Sequence, residues 1–414
     1  MPQKIQFHAN KQNSKYDSKY LHKSNSVRFS ALPHVKKAGA SLLRHSCDLI
    51  YSNSLYSRTN SIARGLTLLP LGRGYQMSGH VHEWLEQQLD YAEKNKLCVT
   101  AQSALDLKRL HRAVVSGPLV ETAPKTFART SYWNKLKPAN RMLHLMRSLQ
   151  KLHPDWIFAG PSAAVAYGFA VSNRYLDNPW IATTRKTHRR VTKTLHPILV
   201  KSEHVTTIDG LRLTPLGRTV GDCLRIMDFR SGLAVADSVL HARQMTRDQL
   251  TASINSACNR MPGITRIRSV VGLADANAES GGESIARATM LELGIALPSL
   301  QRQFANPLKP NEPYRVDFAW EIAGRFILAE LDGHEKYVNN DMTRGKSITQ
   351  IIDDEHLRQT HIEADPCVLR MIRFGFSTVM HEQEFLQILI SCGVPRTYAL
   401  DRDVCEAGGV LRCR

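Results

Sequence analysis

The chain has 414 residues, 43% of them hydrophobic and 22% charged, with a formal net charge of +18. At about 100 to 200 residues per domain, that length suggests two or three domains with apolar cores, and the composition excludes collagen, coiled coil and wholesale disorder. No apolar run approaches the roughly 18 residues of a membrane span and no apolar signal core opens the chain, so a cytoplasmic protein without a membrane partner is expected. The eight cysteines are scattered singly, without a C-x-x-C pair, which favours reduced thiols over a disulfide framework or a zinc site.

The charge is unevenly spread. Residues 1–80 carry 12 basic and 2 acidic side chains, residues 81–275 carry 28 and 15, and residues 276–414 carry 15 and 20. The first two thirds are suited to a polyanion, because neutralising phosphates releases condensed counterions. The acidic last third must act by other means.

Residues 1–76 are rich in Ser, Asn, Lys and Tyr and show no sustained periodicity. They read as a basic, disordered arm, or as a stretch outside the native coding sequence with Met77 as the true start. From Val81 the pattern is helical, with Val81, Leu85, Leu89 and Tyr91 on one face and an end near Lys96. Thr100 caps a short helix over 101–105, and Leu107–Val115 supplies a third. After the Gly117-Pro118 break, Leu119-Val120-Glu121 forms a strand. Three short helices and a wing over 77–137 make a winged helix-turn-helix, whose third helix offers Lys108, Arg109, His111 and Arg112 to a DNA groove.

Residues 138–275 read as an α+β connector. Gly160-Pro161-Ser162 opens a small-residue helix with Ser162 as cap, and a strand begins around Ile198–Val200. The cluster of Arg185, Lys186, Arg189 and Arg190 is a candidate phosphate contact. Arg218 and Asp222, four apart in Thr214-Pro215-Leu216-Gly217-Arg218-Thr219-Val220-Gly221-Asp222, suit a structural ion pair.

The chemistry is concentrated in residues 276–395. Ser280-Gly281-Gly282-Glu283 opens a helix running to Gly294. In Tyr314-Arg315-Val316-Asp317-Phe318-Ala319-Trp320, strand alternation puts Val316, Phe318 and Trp320 on one face and Asp317 on the other. A turn at Ala323-Gly324 leads into Phe326–Gly333, where Glu330 and Asp332 share the face opposite Ile327, Ala329 and Leu331. Adjacent strands thus aim Asp317, Glu330 and Asp332 toward one point. Gathered carboxylates repel unless a cation neutralises them, and hard oxygen ligands suit Mg²⁺ or Mn²⁺. Such an ion would activate water for phosphodiester hydrolysis. Glu283 has a structural alternative at the positive end of its helix, and Asp332-Gly333 one as a strand-ending turn.

The ordered motifs, a helix Glu, V-D-F-A-W, A-E-L-D-G, Lys336-Tyr337, Arg344-Gly345-Lys346-Ser347, Asp354–Arg358 and Val368–Phe374, resemble the PD-(D/E)XK nuclease superfamily. The similarity is strongest to the branch resembling very-short-patch-repair endonuclease and covers roughly residues 280–376. The preceding G-P-S-A-A and T-P-L-G-R-T-V-G-D segments resemble the AbiE-type abortive-infection antitoxin family, a module joined to this nuclease-like one in actinobacterial proteins. The resemblance implies an α/β fold in which a mixed sheet flanked by helices follows a winged helix and an α+β connector, with residues 396–414 as a tail. It implies that Asp317 and Glu330 hold the metal and that Glu283 is the helix acid. Asp332 stands where the superfamily usually has Lys, and Lys336 is positioned to supply that charge. His334 and His356 are further candidates for proton transfer, and Tyr337 is read as packing. His356 and Asp365-Pro366-Cys367 depart from the Lys and the Gly-Trp of relatives. The expected function is a Mg²⁺-dependent endonuclease acting on DNA, in phage defence or on mobile elements. The alternatives are a non-catalytic DNA-binding regulator, antitoxin-like and tied to a toxin the sequence does not identify, and a nuclease directed at RNA.

Overall fold

Leu85, Leu89 and Ala92 recur at i, i+4 and i+7, and this stripe seats the helix α1 (Gly79–Lys94) on its core. In the computed structural model, which describes residues 79–184, 194–200, 204–332 and 348–397, Tyr91 lies off that stripe and is 58% exposed. Ala92 takes the buried place expected for it. Thr100 is not a cap, because Val99–Thr100 form the strand β1. One helix, α2 (Ala104–Val115), replaces the two expected over 101–115. The reason is local: Ser103 accepts from the backbone N–H of Asp106, whose carboxylate accepts from the Ser103 N–H. That capping box starts the helix at one point and leaves no room for a second. The strands β2 (Leu119–Ala123) and β3 (Thr126–Arg129) follow, giving a three-stranded sheet in the order β1-β3-β2. Arg129 ties this sheet to α1 through Glu86, Asp90 and Glu93.

The helices α3 (Thr130–Lys135), α4 (Pro138–Leu152) and α5 (Gly160–Ala166) come next. Ser162 does not cap α5. Pro161 already sits in the first turn, and the Ser162 hydroxyl, within the helix, accepts from the Trp180 N–H at 2.9 Å. The strands β4 (Trp180–Thr183) and β5 (His196–Leu199) pair in parallel, and β6 (Thr206–Ile208) pairs antiparallel with β7 (Leu211–Leu213).

A helical layer follows: α6 (Leu216–Ile226), α7 (Phe229–Arg243), α8 (Arg247–Cys258) and α9 (Ile264–Leu273). The glycines of the T-P-L-G-R-T-V-G-D segment set the α6 to α8 approach. A Cβ at Gly217 would lie 2.2 Å from the Ser253 carbonyl oxygen, and one at Gly221 would lie 2.6 Å from the Cys258 sulfur. Arg218 donates to Asp222 at 2.7 Å and to the Leu199 carbonyl, so the pair also docks β5 on α6. Among the described residues no helix is long and apolar enough to cross a membrane.

The last part runs α10 (Gly281–Glu292), β8 (Ser299–Phe304), β9 (Tyr314–Ile322), β10 (Arg325–Asp332), α11 (Ile348–Glu363), β11 (Val368–Gly375), α12 (Phe376–Met380) and α13 (Glu382–Ser391). The four strands form a mixed sheet in the order β11-β10-β9-β8, with only the β10–β11 pair parallel. Ala323 and Gly324 both have left-handed backbones, the geometry a two-residue hairpin turn requires. One face of the sheet, including Phe318, Trp320, Ile327 and Ala329, packs on Ala286 and Met290 of α10. The other, including Ala319, Phe326 and Leu328, packs on Ile362 of α11.

Val316 does not share the Phe318 and Trp320 face, as simple alternation expects, but lies in the second core. Gln301, opposite Asp317 in the β8–β9 register, has a left-handed φ of 52°, which breaks the two-residue alternation there. The β9–β10 ladder ends at the neighbouring Phe318–Ala329 pair, and beyond it the Asp317 carboxylate accepts the Leu331 N–H at 3.0 Å.

The helix α10 is buried on two sides. Ala288 and Leu291 enter the core of α6–α9 while Ala286 and Met290 enter the sheet core. At this junction Arg287 donates to both Asp237 oxygens at 2.8 Å and to the Leu273 carbonyl. Asp237 is fully buried and also accepts the Asp275 N–H. Arg287→Ala should therefore cost about 3 to 5 kcal/mol by stranding a buried charge, whereas the double change Arg287→Met with Asp237→Leu should be nearly neutral. Urea unfolding of the two variants measures the difference.

Candidate active site

Where β9 and β10 part, a cleft of about 1210 Å³ opens, walled on one side by Ala170–Asn173 and Ala234 and on the other by the sheet edge. Glu283, Asp317, Glu330 and Asp332 line it, together with Glu355 and Arg358 from α11. The structure thus brings four of the five expected site residues into one cleft. The fifth, Lys336, lies outside the described residues, as do His334, Tyr337 and the cluster of Arg185, Lys186, Arg189 and Arg190. His356 is exposed on α11 and does not line the cleft.

The four acids fall into two groups with different partners. Glu283 and Asp317 share Gln301, whose side-chain N–H₂ donates to Glu283 Oε2 at 3.2 Å and to Asp317 Oδ1 at 3.3 Å. Glu283 also accepts the Glu279 N–H at 3.1 Å, so it serves its own helix entry and the cleft together. Burial pushes the Glu283 carboxyl above its ordinary value, and the nearby Asp317 charge adds to the rise. A polar residue with a left-handed backbone between two carboxylates is a costly arrangement, of the kind retained where a site needs it.

Glu330 belongs to the second group. It is 7% exposed, and both of its oxygens are taken by arginines. Arg358 donates to Oε1 and Arg373 donates to Oε2 at 3.0 Å. Arg373 also reaches Asp332 and Glu355, each at 3.4 Å. Glu330 and Asp332 therefore share a face, as their two-residue spacing predicts, and Arg373 lies between them. Arg358 is steadied by the Arg315 carbonyl and by the Tyr314 ring.

Gln301, Arg358 and Arg373 were not among the expected site residues. The arginines leave a signal: Arg358 is one turn before the buried Ile362, and Arg373 is two residues after the buried Met371. Both positions fall on the faces of α11 and β11 that meet each other. Gln301 leaves none, since no residue type announces a left-handed glutamine.

The donor set can be weighed against Mg²⁺ or Mn²⁺. Among the described residues no group of three or more His, Cys, Asp or Glu is gathered for a metal. Mg²⁺ keeps several waters and needs only one or two carboxylates. Glu283 and Asp317, both hard oxygen donors meeting at one amide, fit that requirement, with Glu330 on the adjoining strand.

On the first sheet, Lys108 and Arg112 are exposed on α2, and Arg109 is half-buried with Asp106 at 3.9 Å. His111 faces Glu121 of β2 at 3.4 Å.

Two uncharacterized proteins, from two strains of Mycobacterium tuberculosis, are each 28% identical to the chain over 162 residues. The match covers 37% of this chain and 59% of theirs. No protein-family model matches the chain, and no solved structure does.

The raised Glu283 carboxyl has a consequence for stability in EDTA. Below the ordinary value of 4.5 the group is protonated in the folded and unfolded chains alike. As the pH rises above that value the unfolded chain ionises first, so the folded state loses stability until its own carboxyl has titrated. Glu283→Gln should therefore gain stability relative to wild type between pH 4 and pH 7, read from urea midpoints at both.

Proposed function

We propose that the protein binds DNA and hydrolyses a phosphodiester bond with Mg²⁺ or Mn²⁺. The observation that carries this reading is the convergence of Glu283 and Asp317 on Gln301, beside Glu330, where the two central strands of a mixed sheet part. The α-β-β-β-α-β order of α10, β8, β9, β10, α11 and β11 supports the resemblance to PD-(D/E)XK nucleases. In this reading Asp317 and Glu283 hold the cation, with Glu330 beside them. When bound, the cation would activate a water and neutralise charge on the phosphate. Gln301 keeps the first two carboxylates at a fixed separation, and Arg358 and Arg373 place positive charge beside the phosphate.

For DNA binding, the β1-β3-β2 sheet against α1 and α2 supports the winged-helix reading in a shortened form, with α2 alone in place of two helices. Lys108 and Arg112 on its exposed face are the phosphate contacts. A second reading, a regulator that binds DNA without cutting it, is favoured by one observation: both Glu330 oxygens are engaged by arginines. A cytoplasmic setting and the link to abortive-infection antitoxins belong to the proposal as well.

Supercoiled plasmid incubated with Mg²⁺, Mn²⁺ or EDTA separates the readings. Metal-dependent nicking by wild type, lost in Asp317→Ala while gel-shift affinity is kept, is the expected result. Well-folded wild type that shifts DNA but never nicks it, on duplex, mismatched or single-stranded substrate, would establish the regulator. Independently, Lys108→Ala with Arg112→Ala should weaken binding evenly across sequences. Each phosphate-neutralising side chain removed should lower the slope of log K against log salt by about 0.9.

A further inference from the structure

Resting on the reading of the cleft as a cation and phosphodiester site, the geometry points to Glu330 as a carboxylate held in reserve by Arg358 and Arg373, so that cation and phosphate enter the cleft cooperatively. A carboxylate 7% exposed must keep a charged partner, because an unpaired buried charge is strongly unfavourable. Two kinds of partner can meet that need at Glu330: the guanidiniums that hold it here, or a divalent cation shared with Asp317 and Glu283. The first occupies both oxygens, so it competes with the second.

The arginines face the converse constraint. If a cation draws Glu330 away, Arg358 and Arg373 lose their nearest acceptor. Arg373 then has Asp332 and Glu355, each at 3.4 Å, and its Nε–H is buried without an acceptor among the described residues. Arg358 keeps the Arg315 carbonyl and the Tyr314 ring. Arg358 lines the cleft, and Arg373 lies behind it on the lining residues Glu330, Asp332 and Glu355. Guanidiniums match the oxygens of a tetrahedral anion, which accepts paired N–H bonds. A phosphodiester would thus take the arginines as the cation takes Glu330. Each ligand removes the competitor of the other, and by linkage the two affinities rise by the same factor. Arg358 and Arg373 therefore oppose the cation in the absence of phosphate and favour it in its presence.

The test is calorimetric titration of the full chain with MnCl₂, with sulfate as a soluble tetrahedral anion and with chloride at equal ionic strength. Wild type should bind Mn²⁺ weakly in chloride and about tenfold or more tightly in sulfate, within the usual range of coupling between sites. Arg373→Gln and Arg358→Met should bind Mn²⁺ more tightly than wild type in chloride and show little gain from sulfate. Asp317→Ala should abolish binding in each case, which locates the ion in this cleft. Thermal melts identify any variant that fails to fold, and the chloride-to-sulfate comparison on wild type needs no variant. Equal Mn²⁺ affinity in wild type and both arginine variants, unchanged by sulfate, would overturn the proposal while leaving the cation site intact. Weaker Mn²⁺ binding in the variants would also overturn it, making the arginines simple supports. No Mn²⁺ binding by any form would overturn both this proposal and the metal-dependent reading beneath it.

Discussion

The buried pair of Asp237 and Arg287 is the constraint from which the cleft takes its shape. Asp237 belongs to α7 in the helical layer, and Arg287 belongs to α10 under the sheet. Burial pushes the Asp237 carboxyl up and its arginine partner pulls it back. With one charge fully buried and the other nearly so, neither can be accommodated unless the two helices lie in one relation. That relation sets one cleft wall, from the α5 to β4 connection and α7, against the other, from the N-terminus of α10 and the open sheet edge. The separation between Glu283 and the residues facing it is therefore fixed by packing rather than by the flexible ends of side chains.

A second layer of control is electrostatic. The acidic last third of the chain concentrates carboxylates where β9 and β10 part, and the structure partners them in two ways. Glu283 and Asp317 receive a neutral amide; Glu330 receives guanidiniums. The Glu330 carboxylate is satisfied at both oxygens. The basic first two thirds, by contrast, carry Lys108 and Arg112 on an exposed helix face.

Much of the sheet was legible from alternation. The strands around Asp317 and Glu330, the Ala323-Gly324 turn and the shared face of Glu330 and Asp332 follow from period-two patterning and from the backbone freedom of turn residues. Pattern reading failed where one residue overrode it. Ser103 and Asp106 formed a capping box that merged two expected helices into one, and Pro161 displaced Ser162 from a cap into a hydrogen bond with Trp180. Gln301 reversed the face of Val316. The partners of the acids were the least legible part of the site, since they sit on elements distant in sequence that only the tertiary fold brings together. The Arg218–Asp222 pair, by contrast, needed nothing but helical spacing to be read.

The two-sided burial of α10 sets a limit on how the molecule can be divided. Ala288 and Leu291 are held by the helical layer, Ala286 and Met290 by the sheet, and Arg287 by Asp237 between them. A polypeptide beginning at Glu279 would carry the whole sheet and every acid of the cleft, yet it would present an apolar flank and an unpaired guanidinium to water. Dissection by protease or by gene truncation should therefore yield a soluble sheet-bearing fragment only when the cut falls ahead of α6. The segment that looks separable by its sequence motifs is, physically, half of a larger folding unit.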